Sequence, residues 1–462
     1  MSKNYFIFDT NKCVGCEACM VACINENGFQ QPDTWRQVYE SIDHRKPYIP
    51  LLYLSMACNH CDEAPCMASC PALAYSRSGI TGAVLHETNK CIGCQYCTWT
   101  CPYEAPKYVP SKGVIEKCNF CEPRLIEGNK PACVSLCPTA ALDFSFGEIT
   151  KAERGMELLV KNDPKPSLII KTLEKGSGPE VDPGLYIDFD PRGPNSSFPP
   201  LKACNEPVEL GVQRVDLLHS EYNTMSQSPS YRKKYMNEWP LFFFTIISAF
   251  MVGITASGFF QQQSNILKWS FPIIGLISAF ISIQHLGNKG KAWRALLNLK
   301  GSWLSREIFF FTLFYALGTL GILFFKLPLW VIMSIGTLFL LSIDMLYLPV
   351  QPKRRIHSAQ ATLIGLSVYF LFNFHVSFFA GILAFRLFLY IRWSYNNFSG
   401  INLLRMLSAI VAVVLLSIDT NLWLTVSVFF FGEFIDRILF YCELNKPDVL
   451  RLFQHATPTG SK

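Results

Sequence analysis

The residues that can do chemistry come early in the chain. Cys91-Ile-Gly-Cys-Gln-Tyr-Cys-Thr-Trp-Thr-Cys101-Pro102 sets three thiols at three-residue spacing, then a fourth four residues on and followed by proline. This is the bacterial ferredoxin ligand run, in which three thiolates hold one cluster and the fourth ligates another. Three further groups follow the same logic: Cys13, Cys16, Cys19 and Cys23; Cys58, Cys61, Cys66 and Cys70; Cys118, Cys121, Cys133 and Cys137. Sixteen of the 18 cysteines therefore fall into four quartets, which predicts four 4Fe-4S clusters and one-electron transfer. The cross-ligation rule gives an inner unit, Cys58, Cys61, Cys66 with Cys101 and Cys91, Cys94, Cys97 with Cys70. It leaves an outer unit, Cys13, Cys16, Cys19 with Cys137 and Cys118, Cys121, Cys133 with Cys23; sequential pairing is the alternative. A disulfide framework belongs to small loop-rich secreted domains. Structural zinc needs neither the third cysteine nor the trailing Cys-Pro. Cys204 and Cys442 stand apart and are expected to ligate nothing.

The elements that must hold these thiols are short. Tyr5–Phe8 reads as a strand running into Cys13, with no apolar leader and no twin arginine before it. Leu51–Met56, Val84–His86 and Ala140–Phe146 read as strands between ligand loops. Residues 1–155 thus form an α+β, double-ferredoxin-like iron–sulfur domain for electron transfer. Residues 156–238 repeat Pro and Gly without a sustained period and read as an extended linker wrapping that domain.

At Trp239 the composition changes. Eight apolar spans follow: Trp239–Phe260, Trp269–Leu286, Ile308–Phe325, Leu329–Leu348, Ala359–Phe374, Val376–Ile391, Leu403–Ile418 and Leu422–Tyr441. Most approach the ~20 residues that cross a bilayer. Residues 239–442 are expected as an all-α eight-helix transmembrane bundle, an anchor in the lipid bilayer, and 443–462 as a polar tail. The 37 phenylalanines and 14% aromatics suit membrane helices and their interfaces. A net charge of +6 without a basic, aromatic-interleaved stripe argues against a nucleic-acid partner.

Ionisable residues in membrane spans default to functional hypotheses. His285 ends the second span and Glu307 begins the third, both on the face that carries the cysteines. Together they could take the protons that a quinol from the membrane pool releases as its electrons leave. Lys289, Lys291 and Arg294 in the intervening loop could stabilise the half-oxidised quinol anion. The plainer readings are an interfacial histidine on a neighbouring carbonyl and a carboxylate favoured at a helix start. Haem is disfavoured, because His285, His357 and His375 do not form pairs at depth. Arg386 and Glu433 are expected as a buried structural pair. Loops on the cysteine side carry Lys289, Lys291, Arg294, Lys300, Arg306, Lys353, Arg354, Arg355, Arg392 and Arg405, against Lys268 and Lys326 opposite. That asymmetry predicts a bacterial inner-membrane protein with its iron–sulfur domain cytoplasmic.

The four all-cysteine quartets resemble the iron–sulfur subunit of the dimethyl sulfoxide reductase family of molybdoenzymes. The apolar half resembles that family's membrane anchor in Glu238-Trp-Pro-Leu241, His285-Leu-Gly287, Ser305-Arg-Glu-Ile308 and Arg437-Ile-Leu-Phe-Tyr441. The resemblance covers about 1–200 and 236–442, and fuses what are usually two polypeptides. It implies a non-catalytic electron-transfer subunit, menaquinol binding at His285 and Glu307, and a separate molybdopterin-containing catalytic subunit. It also implies a periplasmic cluster domain, the alternative to the cytoplasmic placement. Reverse electron flow to quinone, and a non-redox scaffold or metal-sensing module, are the competing functions.

Overall fold

The computed structural model describes residues 3–29, 34–40, 53–149, 164–171, 239–325, 327–350, 357–394, 400–418 and 421–444. Most of the expected linker, Cys204, Lys326, Lys353, Arg354, Arg355, the side chains of Arg392 and Cys442, and the tail from 445 lie outside those residues.

The cysteine-bearing part is α+β. Strand β1 (Lys3–Asp9) alternates, with Phe6 and Phe8 buried and their neighbours partly exposed, the period of a half-buried strand. It pairs antiparallel with β8 (Leu142–Gly147), Lys3 opposite Gly147 and Phe8 opposite Leu142. On its other edge it pairs in parallel with β9 (Leu168–Lys171). The Leu-Ile-Ile of β9 lies inside the stretch expected as linker. Its apolar run extends the domain's sheet past residue 155, with Leu168 and Ile170 buried.

Three two-stranded ribbons complete the strands: β2 (Gln37–Glu40) with β3 (Tyr53–Met56), β4 (Tyr75–Arg77) with β5 (Val84–His86), and β6 (Lys107–Val109) with β7 (Val114–Glu116). Between them sit short helices that each carry or follow cysteines. They are α1 (Ala18–Asn27), α2 (Pro65–Ala68), α3 (Tyr96–Thr100), α4 (Glu122–Ile126) and α5 (Ala132–Ser135). The core of this part includes many of the cysteines themselves, packed with Phe6, Phe8, Leu54, Val84 and Phe120.

The second half is helical: α6 (Trp239–Ala256), α7 (Asn265–Lys268), α8 (Ser270–Ile283), α9 (Trp303–Leu323), α10 (Leu329–Tyr347), α11 (Ala361–Phe372), α12 (Val376–Ser394), α13 (Gly400–Ser417) and α14 (Leu422–Glu443). Among the described residues four stretches, Trp239–Ala256, Asn265–Ile283, Trp303–Leu323 and Leu329–Val350, are long and apolar enough to cross a membrane. Helix α11 has 12 residues, about 18 Å of rise against a hydrocarbon core of ~30 Å. Its first amides are met by a carboxylate from α10: Asp344 accepts from the backbone N–H of Ala361 at 2.7 Å and of Thr362 at 3.1 Å. A carboxylate there complements the helix dipole. Apolar side chains such as Leu276 and Phe280 face outward, the pattern expected of helices whose solvent is lipid.

Candidate metal centres and membrane site

Two ligand loops share one backbone. In Cys13-Val-Gly-Cys-Glu and Cys91-Ile-Gly-Cys-Gln the glycines, Gly15 and Gly93, take φ of 69° and 70°. Glu17 and Gln95 take 59° and 58°. The left-handed region costs a non-glycine residue about 1–2 kcal/mol, and such residues cluster where a site imposes them. The three Cys-Pro turns repeat a second device: Leu73, Glu104 and Ala140, each three residues after Cys70, Cys101 and Cys137, have φ of 50°, 50° and 51°.

These turns bring the thiols into four groups. Cys13 is within electrostatic reach of Cys16, Cys19 and Cys137, and all four line one hollow. Cys23, Cys118, Cys121 and Cys133 line another. Cys61 neighbours Cys58, Cys66 and Cys101. Cys94 neighbours Cys70 and Cys91, and Cys97 neighbours Cys94 and Cys70.

Backbone amides point at the sulfurs. Gly93 N–H donates to Cys91 Sγ, Phe120 to Cys118, Ala74 to Cys70 and Leu142 to Cys137, each at 3.4 Å. Such bonds tune a cluster's potential. Burial pushes the Cys101 and Cys121 thiols up to about 11, so metal coordination has to displace their protons. Among the described residues no three His, Cys, Asp or Glu side chains converge tightly enough to hold a single ion. All-thiol groups, two of them around hollows, with amides aimed at sulfur, fit polynuclear iron–sulfur clusters.

The groups succeed one another. Cys97 neighbours Cys66, Cys118 neighbours Cys58 and Cys19 neighbours Cys133. The order runs from the Cys91 group through the Cys58 and Cys118 groups to the Cys13 group.

The Cys91 group meets the helical half. Tyr96 and Trp99 on α3 are 3% and 4% exposed because they pack into the helical core; Trp99 lies 5.7 Å from the Tyr347 ring. Two large aromatics inside a ligand loop were the signal for this contact, and sequence reasoning passed over it. The loop after α8 docks beside them. Asn288 N–H donates to Ile92 O at 3.1 Å, and Asn298 Nδ2 donates to the carbonyls of Ala68 and Cys70 at 3.0 and 2.9 Å. Lys291 Nζ donates to Asn89 O at 2.6 Å and Arg294 to Ala72 O at 3.1 Å. Lys289 holds Gln284 Oε1 at 2.6 Å. Of the three cations expected to face a quinol anion, Lys291 and Arg294 therefore tie the loop to carbonyls beside the Cys91 loop and in the Cys70-Pro71 turn, and Lys289 reaches back to the end of α8.

His285 lies just beyond α8, its Nδ1 against the carbonyl of Ser282. Glu307, in the first turns of α9, is 3% exposed, and its Oε2 is buried with no hydrogen-bond partner. Tyr96 is within electrostatic reach of both Glu307 and Cys94, and Tyr347 and Arg437 surround the same carboxylate. Arg437 is pinned: Nε donates to Thr245 Oγ1 at 3.1 Å, one terminal nitrogen donates to Ala359 O at 2.6 Å, and the guanidinium lies over the rings of Phe440 and Tyr441. Its other terminal nitrogen is buried without a partner. An unmet acceptor and an unmet donor thus lie within electrostatic reach of each other, and the acceptor lies within reach of Tyr96 of the Cys91 loop.

Arg386 and Glu433 form a two-pronged pair, both 0% exposed. Arg386 also donates to Ser358 O at 2.8 Å, and Asp436 accepts from Ser358 Oγ at 2.9 Å. Arg405 joins them, 3.2 Å from Asp436 and 3.5 Å from Glu433. Expected among the loop charges, it lies instead on α13 at 1% exposure, since two acids on α14 require a second cation. His357 accepts from Ala359 N–H at 2.9 Å, and His375 sits among Phe370 and Phe378.

Residues 49–147 match the 4Fe-4S dicluster domain family, and residues 233–426 match the DMSO reductase anchor subunit (DmsC) family. The chain is 34% identical over 203 residues to the B subunit of the anaerobic dimethyl sulfoxide reductase of Escherichia coli, covering 97% of that protein and 40% of this one. This chain belongs to the dimethyl sulfoxide reductase family. Within the family it is 38% identical over 152 residues to the thiosulfate reductase electron transfer subunit PhsB of Salmonella typhi, 77% of that protein and 32% of this one. To the B subunit of the polysulfide reductase of Wolinella succinogenes it is 34% identical over 197 residues, 98% of that protein and 42% of this one. Iron–sulfur subunit and membrane anchor, matched by separate families, are here one electron-transfer polypeptide.

Proposed function

We propose that this polypeptide oxidises a quinol, menaquinol by family resemblance, in its anchor and delivers the electrons through four 4Fe-4S clusters to a separate molybdopterin catalytic subunit. The observation that carries the reading is the buried Glu307 carboxylate, its Oε2 unmet, next to Tyr96, which stands between Cys94 and Cys97. Proton-accepting chemistry and the first ligand group thus meet at one place.

The sixteen cysteines of the four quartets hold the clusters in two ferredoxin-like units, and the nine described helices form eight spans. When bound, each cluster accepts and releases one electron. Arg437 presents its unpartnered nitrogen to one quinol oxygen. Glu307 Oε2 takes a proton from that oxygen or its neighbour, and the imidazole of His285 is the second proton-accepting group on this face. Tyr96 and Trp99 close the pocket against water on the cluster side. The basic loop between α8 and α9 supports a cytoplasmic placement of this face, in a bacterial inner membrane.

The test is quinol-driven bleaching of the visible iron–sulfur absorbance in anaerobic membranes. Glu307→Gln and His285→Arg should abolish it while leaving the dithionite-reduced spectrum and membrane assembly intact. Bleaching of either variant at the wild-type rate would place the site elsewhere.

A further inference from the structure

Arg36 is a buried cation without a carboxylate. It is 2% exposed, and among the described residues no Asp or Glu forms an ion pair with it. Its guanidinium lies 4.7 Å from the centre of the Phe6 ring. One terminal nitrogen donates to Ser55 Oγ at 3.1 Å and Ser55 O at 3.4 Å. The same Ser55 hydroxyl lies 3.3 Å from Cys19 Sγ. On the other side the guanidinium lies beside the Cys133 thiol and lines the hollow of Cys23, Cys118, Cys121 and Cys133. Cys19, Cys23, Cys118 and Cys133 are all within its electrostatic reach. A buried, unbalanced charge costs several kcal/mol, and the anions able to balance it are the cysteine ligand groups on either side. Lys117, another buried cation of this domain, spends its donors on the carbonyls of Val84 and Cys118. Arg36 instead reaches sulfur.

We propose that Arg36 is the shared counter-ion of the two outer cluster sites, Cys13/Cys16/Cys19/Cys137 and Cys23/Cys118/Cys121/Cys133, and raises the reduction potential of both. Each added electron increases the negative charge of a cluster, so a fixed cation beside it favours the reduced form; net charge and hydrogen bonds to sulfur are established levers on such potentials. These two sites are the farthest from the anchor in the order of groups. Raising them makes transfer away from the membrane downhill. Arg36 touches no substrate; it acts through the ligand sulfurs. The proposal rests on the four-cluster reading and deepens it.

The test uses the full chain, purified anaerobically, in a redox titration followed by electron paramagnetic resonance, with Arg36→Gln and Arg36→Lys beside the wild type. Arg36→Gln should weaken reduction of two of the four clusters by at least tenfold, 59 mV for one electron, and leave the other two unchanged. Arg36→Lys, which keeps the charge, should restore most of that shift. Unchanged midpoints in Arg36→Gln at full iron content would overturn the proposal, and so would an equal shift of all four clusters. If Arg36→Gln loses iron, the lysine variant carries the test: midpoints near wild type support the proposal, while loss of the same clusters in both variants makes Arg36 a structural residue and overturns it. Fewer than four clusters in the wild type would instead refute the four-cluster reading, before any variant is compared.

Discussion

Gly287→Ala probes the junction between ligand loops and anchor. Gly287, two residues past His285, lies main chain to main chain against Gly113. A Cβ built on it would sit 2.1 Å from the Gly113 carbonyl oxygen and 2.6 Å from its carbon. Both walls are backbone, so no side chain can rotate away. The loop has to retreat by roughly 1.4 Å to reach the ~3.5 Å of ordinary contact. Overpacking of this kind costs about 1–3 kcal/mol. Losing the adjacent Asn288-to-Ile92 bond, 3.1 Å long, adds about 1 kcal/mol. A total of roughly 2–4 kcal/mol displaces the docked loop by about 30- to 700-fold, at 1.4 kcal/mol per decade. The contacts of Asn298 and Arg294 farther along the loop keep the halves attached, so iron content and dithionite reduction should hold. Quinol-driven bleaching should slow at least tenfold. Gly290→Ala is the control, since its Cβ would meet only Asn288 Oδ1, at 3.9 Å. A Gly287→Ala protein that bleaches at the wild-type rate would refute the docked geometry as the route of electron entry.

Three further outcomes are expected. A Cys204→Ser, Cys442→Ser double variant should keep every cluster signal in electron paramagnetic resonance; loss of one would show a misassigned quartet. Arg386→Leu leaves Glu433 and Asp436 short of a cation in low dielectric, about 3–5 kcal/mol. It should cut the amount of assembled protein in membranes, whereas Arg437→Gln should keep more of that protein and raise the quinol KM. An alkaline phosphatase fusion after Leu299 should be inactive if the basic loop is cytoplasmic; an active fusion would put the clusters in the periplasm.

The ligand groups were legible because cluster chemistry constrains spacing directly, and Tyr5–Phe8 and Val84–His86 were legible because alternation and turn residues frame them. Glu307 and the Arg386–Glu433 pair could be picked out because charge in an apolar run is conspicuous. What stayed hidden depends on partners distant in sequence. Arg405 reads as a loop charge until Asp436 and Glu433, a helix away, claim it. Lys291 and Arg294 read as anion-facing until the carbonyls of Asn89 and Ala72 are brought to them. Tyr96 and Trp99 read as filler in a ligand run until α3 meets the anchor. Leu168–Lys171 is too short to declare itself without the β1 edge it joins.

In the proposed function one polypeptide takes electrons from quinol and holds them on four clusters. Its most direct measurement is made on the anaerobically purified protein without a catalytic partner: iron and labile sulfide per polypeptide, then the fraction of dithionite-bleachable absorbance that a quinol analogue bleaches. About sixteen iron atoms per polypeptide and quinol bleaching that Glu307→Gln abolishes are the predicted results. Half that iron, or a full complement of clusters that dithionite reduces and quinol does not, would contradict the claim.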